Sequence, residues 1–389
     1  MKKTLTALAI SLAAISAPTH AADPLKIGFI STLSGPSALL GQDILDGFNL
    51  GIKSVGGTLG GRNVELITGD DQLKPDVARQ LADRMVLRDG VDILTGIIWS
   101  NVMLAIAKPV LDEGVFIISP NAGPSQYAGV QCHPRYFAVG FQNDVPNEAM
   151  GMYMQSKGYQ NVYLMAPNYP AGRDMLTGFK RFYNGSVNSE VYTQLGQLDY
   201  AAELAQLRSK APSALYYFIS GGPGINFVKQ YAQSGLKEKT PLFAPGFSLD
   251  QTILPAVGEA AYGAMVSTFW SPDLDNATNK KFVADFEAAY GRTPSPYAAQ
   301  GYDTARILNA ALKTTGGDVK DKAAFQKALE NVEFDSVRGD FKFNTNHYPI
   351  QNYYLAEVVK GADGKPAWKT IQTIVESHGD AYAKLCKMG

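Results

Sequence analysis

The sequence predicts an α/β protein of two lobes, each built around a mainly parallel sheet covered by helices. Three observations predict it. Strand-like and helix-like runs alternate from Lys26 onward, the pattern of a parallel sheet wound by helices. The alternation restarts after Phe141, which makes two such units. The chain of 389 residues is also longer than one hydrophobic core usually holds, roughly 250–300 residues.

The first segment is read as an export signal, not as part of the fold. Lys2 and Lys3 precede an apolar stretch from Leu5 to Ala17, and Thr19 and Ala21 are small residues at cleavage spacing. Residues 1–21 are therefore expected to be removed on export, and the style of the signal points to a Gram-negative periplasm. Strand Lys26–Leu33, helix Leu39–Val55 and strand Asn63–Gly69 follow. Asp76 suits the N-cap of the next helix, where Val77, Leu81 and Met85 recur every four residues before Gly90. Val91–Gly96, a helix near Met103–Glu113 and strand Val115–Ser119 complete the first unit, and Arg135–Gln142 joins the two.

In the second unit, strands are expected at Asn161–Ala166, Glu190–Thr193, Ala214–Ser220 and Pro241–Ala244, with helices between them. Ile225, Val228 and Ala232 share a helical face that ends at Gly235. Val266–Trp270 reads as a crossover, Asn279–Asn331 as mostly helical, and Phe334–Glu357 as strands.

Composition removes several functions. There are 35 Lys+Arg against 36 Asp+Glu, without basic clusters, which argues against nucleic acid or anionic membrane as a partner. No apolar run beyond the signal reaches the ~18–20 residues of a membrane span. Cys132 and Cys386 are the two cysteines. In an oxidising compartment they are expected to form one disulfide, the other reading being two buried thiols. No Cys/His spacing suggests a metal, and no cofactor is expected.

Ligands of open α/β sheets bind outside the carboxyl ends of the strands, which selects six loops. They are Ser34–Ser37, Trp99–Asn101, Asn121–Gly123, Asn168–Gly172, Ser220–Gly222 and Gly246–Ser248. Enzyme chemistry finds little support there. Gly246-Phe247-Ser248-Leu249-Asp250 lacks the last glycine of a nucleophile elbow, and Gly222-Pro223-Gly224 lacks the third glycine of a dinucleotide loop. Asp70-Asp71 reads as a loop or capping pair, and Arg173-Asp174 as an internal ion pair or, through Arg173, a second carboxylate contact. No enzymatic activity is expected.

Three stretches carry a resemblance. Gly28-Phe29-Ile30 through Ser34-Gly35-Pro36, then Gly41 and Gly47, resembles the opening of the periplasmic leucine/isoleucine/valine-binding family. Asp92–Gly96, Ser100, Ala107–Val110 and Ser119-Pro120 resemble it at the same spacing, and Tyr297–Asp303 resembles its late helix. The resemblance implies type I periplasmic binding protein architecture, with two Rossmann-like lobes hinged by three crossovers. The lobes are then expected at 22–140 with 269–347, and at 141–268 with 348–389. It further implies a monomer that captures a small carboxylate ligand between the lobes and delivers it to an ABC-transporter membrane permease.

Carried over residue by residue, the family's carboxylate-binding hydroxyl falls on Ser100, between Trp99 and Asn101. Its backbone carboxylate contacts fall on Asn121, Ala122 and Gly123. The aromatic residue usual before the second-lobe glycine is Ala171 here, with Tyr169 nearby to replace it; Ser220 and Gly221 open the next loop. Where amino-acid binders place an acid after the strand Pro241–Ala244, this chain has Phe247. Phe247, Trp99 and Tyr297 would then form an aromatic wall in place of an amine site, and the expected ligand is an aromatic carboxylate or aryl 2-oxo acid. Three alternatives stay open: a branched-chain or aromatic amino acid with Asp250 as the amine partner, a ligand-sensing receptor domain, and other roles for the aromatic residues, with Phe247 in the core, Trp99 at a lobe surface or interface and Trp270 packed at the hinge.

Overall fold

The computed structural model describes residues 23–388, so the export signal assigned to residues 1–21 lies outside the described residues. Two sheets organise the chain. In the first, β1 (Leu25–Ser31), β2 (Val64–Asp70), β3 (Ile93–Thr95), β4 (Phe116–Ser119) and β5 (Tyr136–Ala138) run parallel in the order β2-β1-β3-β4-β5. In the second, β6 (Val162–Pro167), β7 (Val187–Thr193), β8 (Ala214–Tyr217), β9 (Leu242–Pro245) and β10 (Met265–Thr268) run parallel in the order β7-β6-β8-β9-β10. The two units share one winding order. The second sheet is extended by antiparallel β12 (Pro349–Lys360), which also pairs with β11 (Phe341–Phe343) and β13 (Pro366–His378).

Helices α1 (Ala38–Ser54), α2 (Pro75–Arg84), α3 (Ser100–Asp112) and the one-turn α4 (Ser125–Ala128) follow the strands of the first sheet. Helices α5 (Val145–Ser156), α6 (Pro170–Phe182), α7 (Ala201–Lys210), α8 (Gly221–Gln233) and the short α9 (Leu254–Val257) belong to the second. The chain then returns with α10 (Ala277–Tyr290), α11 (Pro296–Thr314) and α12 (Lys322–Glu330), and α11 packs on α1. Glycines on α1 make that approach possible. A Cβ on Gly47 would sit 2.0 Å from the Ala298 carbonyl oxygen, and one on Gly51 2.7 Å from Ala305 Cβ.

Local chemistry explains the element ends. Asn276, Ser295 and Asp321 cap α10, α11 and α12 by accepting from the backbone N–H three residues on, at 2.7, 3.4 and 3.0 Å. β3 and β4 are buried along their whole length, as central parallel strands covered on both faces are. Asp76 is not a cap: Lys74 takes that position because Pro75, with no N–H to satisfy, occupies the first helical turn. β5 and β13 were not anticipated. β5 is three residues long, and β13 is an edge strand whose exposed face hides its periodicity.

The chain crosses between the sheets through residues 139–144, 269–276 and 331–340. One buried cation ties these crossings together. Arg338 donates to the Val139 and Gly140 carbonyls at 2.7 and 3.2 Å, pairs with Asp303 at 2.9 Å, and lies over the ring of Phe269. Cys132 and Cys386 are joined as a disulfide across 254 residues of sequence. Closing a loop of that length stabilises a chain by about 5–6 kcal/mol in the chain-entropy description. Among the described residues, no helix is long and apolar enough to cross a membrane.

Candidate ligand-binding cleft

Strand order reverses between β1 and β3 in one sheet and between β6 and β8 in the other. Ligands of open α/β sheets bind at such switch points. The loops leaving β3, β4, β6, β8 and β9 meet there and line a small cavity. It is lined by Ile98, Trp99, Ser100, Asn121, Phe141, Asn143, Tyr169, Ala171, Met175, Phe218, Ser220, Phe247 and Tyr297. All of them are buried. The two lobes touch directly around it: Gly222 N–H donates to the Pro36 carbonyl at 3.0 Å.

Seven of the residues selected from sequence therefore share one wall: Trp99, Ser100, Asn121, Tyr169, Ser220, Phe247 and Tyr297. Asn101, Ala122, Gly123 and Gly221 do not reach it. Ala122 N–H already donates to the Ile97 carbonyl at 3.2 Å, and its own carbonyl accepts from Ser119 Oγ at 2.7 Å and Tyr136 OH at 3.0 Å. Gly123 is pressed against the first crossing, where a Cβ would lie 2.0 Å from the Phe141 carbonyl oxygen. Gly221 sits at φ 66° beside Ser37 on the opposite lobe. Asn101 is the second residue of α3, one step past the wall.

The polar end is built from α3 outward. Ser100 opens this 13-residue helix, whose first intrahelical bond is Met103 N–H to the Trp99 carbonyl at 2.9 Å. The N–H groups before Met103 have no partner in the preceding turn, and the helix dipole favours an anion beside them. α6 and α8 also begin at cavity residues, Tyr169 and Ser220 being their N-caps without side-chain cap bonds. Asn143 Nδ2 donates to Ser100 Oγ at 3.1 Å and to Asp174 Oδ2 at 2.9 Å. Because Ser100 Oγ accepts there, its own proton is not used in that bond. Asp174, on α6, also accepts from Ser125 N–H at 3.1 Å and Ser125 Oγ at 2.8 Å across the cleft. Burial pushes the Asp174 carboxyl up from the ordinary range, against the pull of those donors.

The other end is aromatic. Phe247 stacks on Phe141 with ring centres 4.4 Å apart and meets Tyr297 at 5.9 Å. Trp99 lies edge-on to Tyr169 at 6.1 Å, and Tyr169 stacks on Phe218 at 6.3 Å. The indole of Trp99 is fixed by Nε1 donating to Thr32 Oγ1 at 2.9 Å, while Thr32 Oγ1 donates to Asp71 at 2.5 Å. Phe247 and Trp99 are thus both in the wall. Trp270 is not: it packs on Phe282 and donates to Asn279 at 2.6 Å.

Among the described residues, no side chain that carries a full charge lines the cavity. Asp250 is fully buried behind it, accepting from Thr252 N–H at 2.7 Å, and burial pushes its carboxyl up to about 7. Arg173 faces away and donates to Asn168 at 2.8 Å, since neighbouring residues on a helix point apart; it does not pair with Asp174 and does not line the cavity. Ser248 Oγ accepts from Ile219 N–H at 3.0 Å and ties two loops together. Sequence reasoning missed Phe141 and Asn143 because they lie in the crossing, and Phe218 because it reads as the end of a strand.

A buried cavity at two facing switch points, polar at one end and aromatic at the other, defines a protein that encloses a small ligand between its lobes. The chain belongs to the periplasmic binding protein family, whose model matches residues 24–365. A Leu/Ile/Val-binding protein homologue of Brucella melitensis is 31% identical over 395 residues, covering 99% of this chain and 100% of that protein. The solute-binding protein of an ABC transporter from R. palustris, solved in complex with benzoate, has a TM-score of 0.89 and 34% identity. That match covers 94% of this chain and 100% of the other. A second, from Rhodopseudomonas palustris BisB5 in complex with 3,4-dihydroxybenzoic acid, has a TM-score of 0.87 and 28% identity over 92% of this chain and 99% of its own.

Proposed function

We propose that this chain is the substrate-binding component of an ABC importer and that it captures a small aromatic carboxylate in the cleft for delivery to the membrane permease. The observation that carries this reading is the division of the cavity into a neutral, donor-rich end and a ring-lined end with no charged side chain. The carboxylate is held by Ser100 Oγ and the first-turn N–H groups of α3, and the ring lies among Phe141, Phe247, Tyr169 and Tyr297. Charge-assisted hydrogen bonds of this kind are the stronger class, and they need no lysine or arginine. The benzoate and dihydroxybenzoate bound to the two solved relatives support the same ligand class.

The name of the Brucella relative favours an aliphatic amino acid. An ammonium group in this cavity would be buried without a counter-charge, at a cost of several kcal/mol. Phe247 stands where an acid would have to be. In the proposed cycle, residues 1–21 direct export to the periplasm, and the monomer closes as two bodies, 22–140 with 269–340 on 141–268 with 341–389; the boundary falls before β11 and not at 347 because β11 pairs in the second sheet. Calorimetric titration of the mature protein with benzoate and with leucine tests the reading. Saturable benzoate binding with leucine at least about tenfold weaker is expected; the reverse order would overturn it.

A further inference from the structure

A second small cavity lies against the first and shares four wall residues with it, Trp99, Tyr169, Phe218 and Ser220. The two differ in their lining. Every residue of the inner cavity is buried, whereas the second includes exposed Gln194 and Gly196 from the loop after β7. Its remaining surface is uncharged and mainly apolar, with Leu73 from the first lobe facing Leu195 and Pro223 from the second.

The polar groups are distributed unequally between the two. Ser100, Asn121 and Asn143 belong to the inner cavity alone, so a carboxylate anchored there leaves the shared wall to the far side of the ligand. That wall carries two hydroxyls, of Tyr169 and Ser220; Ser220 is 7% exposed, and its Oγ, near the Tyr297 hydroxyl, makes no hydrogen bond within 3.5 Å. A buried hydroxyl is seldom left unpaired. A bare benzoate ring brings no polar atom to it and leaves the second cavity empty. An oxygen on the ring opposite the carboxylate gives Ser220 an acceptor, and a short alkyl group on that oxygen continues into the second cavity. Trp99 is pinned through Thr32, so the width of the passage is set by Tyr169 and Phe218.

We propose that the cleft has an outer compartment and that the protein takes aryl carboxylates extended opposite the carboxylate by a short uncharged ether or alkyl group, which lodges between Trp99, Tyr169 and Leu195. This rests on the aromatic-acid reading and specifies its substrate. A second carboxylate at that position is rejected, because beyond Ser220 the outer compartment is lined mainly by apolar side chains that would desolvate it without donors.

The test is calorimetric titration of the mature wild type and of Leu195→Trp with benzoate, 4-ethoxybenzoate and benzene-1,4-dicarboxylate. The wild type should bind 4-ethoxybenzoate within about tenfold of benzoate and the dicarboxylate at least about tenfold more weakly. Leu195→Trp fills the compartment and should weaken 4-ethoxybenzoate about tenfold or more while leaving benzoate within about threefold. Benzoate binding therefore also reports that the variant is folded. Should it not fold, Leu195→Ala decides, with an expected shift of preference toward 4-propoxybenzoate. Exclusion of 4-ethoxybenzoate by the wild type, equal losses for both ligands in Leu195→Trp, or an unshifted Leu195→Ala would overturn the compartment. Failure of the wild type to bind any of these acids would overturn the aromatic-acid reading itself.

Discussion

The two ends of the inner cavity solve opposite problems. At the Ser100 end a negative charge has to be held without a cation, and the fold supplies a helix N-terminus and a hydroxyl. That hydroxyl is oriented by Asn143, which Asp174 holds in turn from the other lobe. At the Phe247 end polarity is withdrawn: three rings close the wall, and the nearby acid, Asp250, is buried behind it with its carboxyl pushed up to about 7. Selectivity for acids over zwitterions then arises at the end that does not touch the charge. On the proposed reading, the anion site would accept either ligand class, and the aromatic end would reject one of them by offering no counter-charge.

The largest change is expected from breaking the aromatic end. Phe247→Asp removes a buried ring, a loss of about 3–5 kcal/mol where the cavity does not collapse, and introduces a charge. Affinity for benzoate should fall at least about 100-fold, or ~2.7 kcal/mol, while the preference over amino acids narrows or inverts. Titrating both ligand classes into the variant measures this. Ser100→Ala acts on the other end. It should weaken every carboxylate by about 1.5–3 kcal/mol, as for loss of one hydrogen bond to a charged group, without altering the order of ligands. Calorimetry with benzoate and a thermal melt separate that loss from unfolding.

Asp174→Ala removes the cross-cleft acceptor that touches neither ring nor carboxylate. Affinities for all ligands should fall together by about 1–2 kcal/mol, with their ratios unchanged. A changed ratio would mean that the two ends are not independent.

The smallest effect on binding is expected at Asp250. Its folded carboxyl titrates at about 7 against roughly 3.9 for a free aspartate. The folded state therefore binds more protons than the unfolded one between those values, and stability falls as pH rises through that window. Asp250→Asn should flatten this fall, melt above wild type at pH 8 and match it near pH 4, with ligand order unchanged. Asp144, raised to about 6, contributes to the same window in both proteins and cancels in the comparison.

The sequence was legible where one element determines the outcome. Ser100 follows a short buried strand and opens a helix, and Phe247 follows another strand, so their places in the wall come from strand–loop–helix order alone. Ala122 and Gly123 stand in an equally plausible loop. What separates them is the destination of their backbone groups, the Ile97 carbonyl and the first crossing, and those partners are distant in sequence. Asn143, Phe141 and Arg338 were illegible for a related reason. Each lies in a crossing whose surroundings come from three remote segments, and Arg338 in a polar loop gives no sign that it will be buried among them.

The most direct measurement compares a matched pair, phenylpyruvate and phenylalanine, by calorimetric titration of the wild type. They share a ring, a carboxylate and a chain length, and differ in whether the α-carbon bears a keto oxygen or an ammonium group. With no counter-charge at the Phe247 end, phenylpyruvate should bind at least about tenfold more tightly, or ~1.4 kcal/mol. Tighter binding of phenylalanine would contradict the division of the cavity into an anion end and an aromatic end, and would make Asp250 the first place to look for the missing charge.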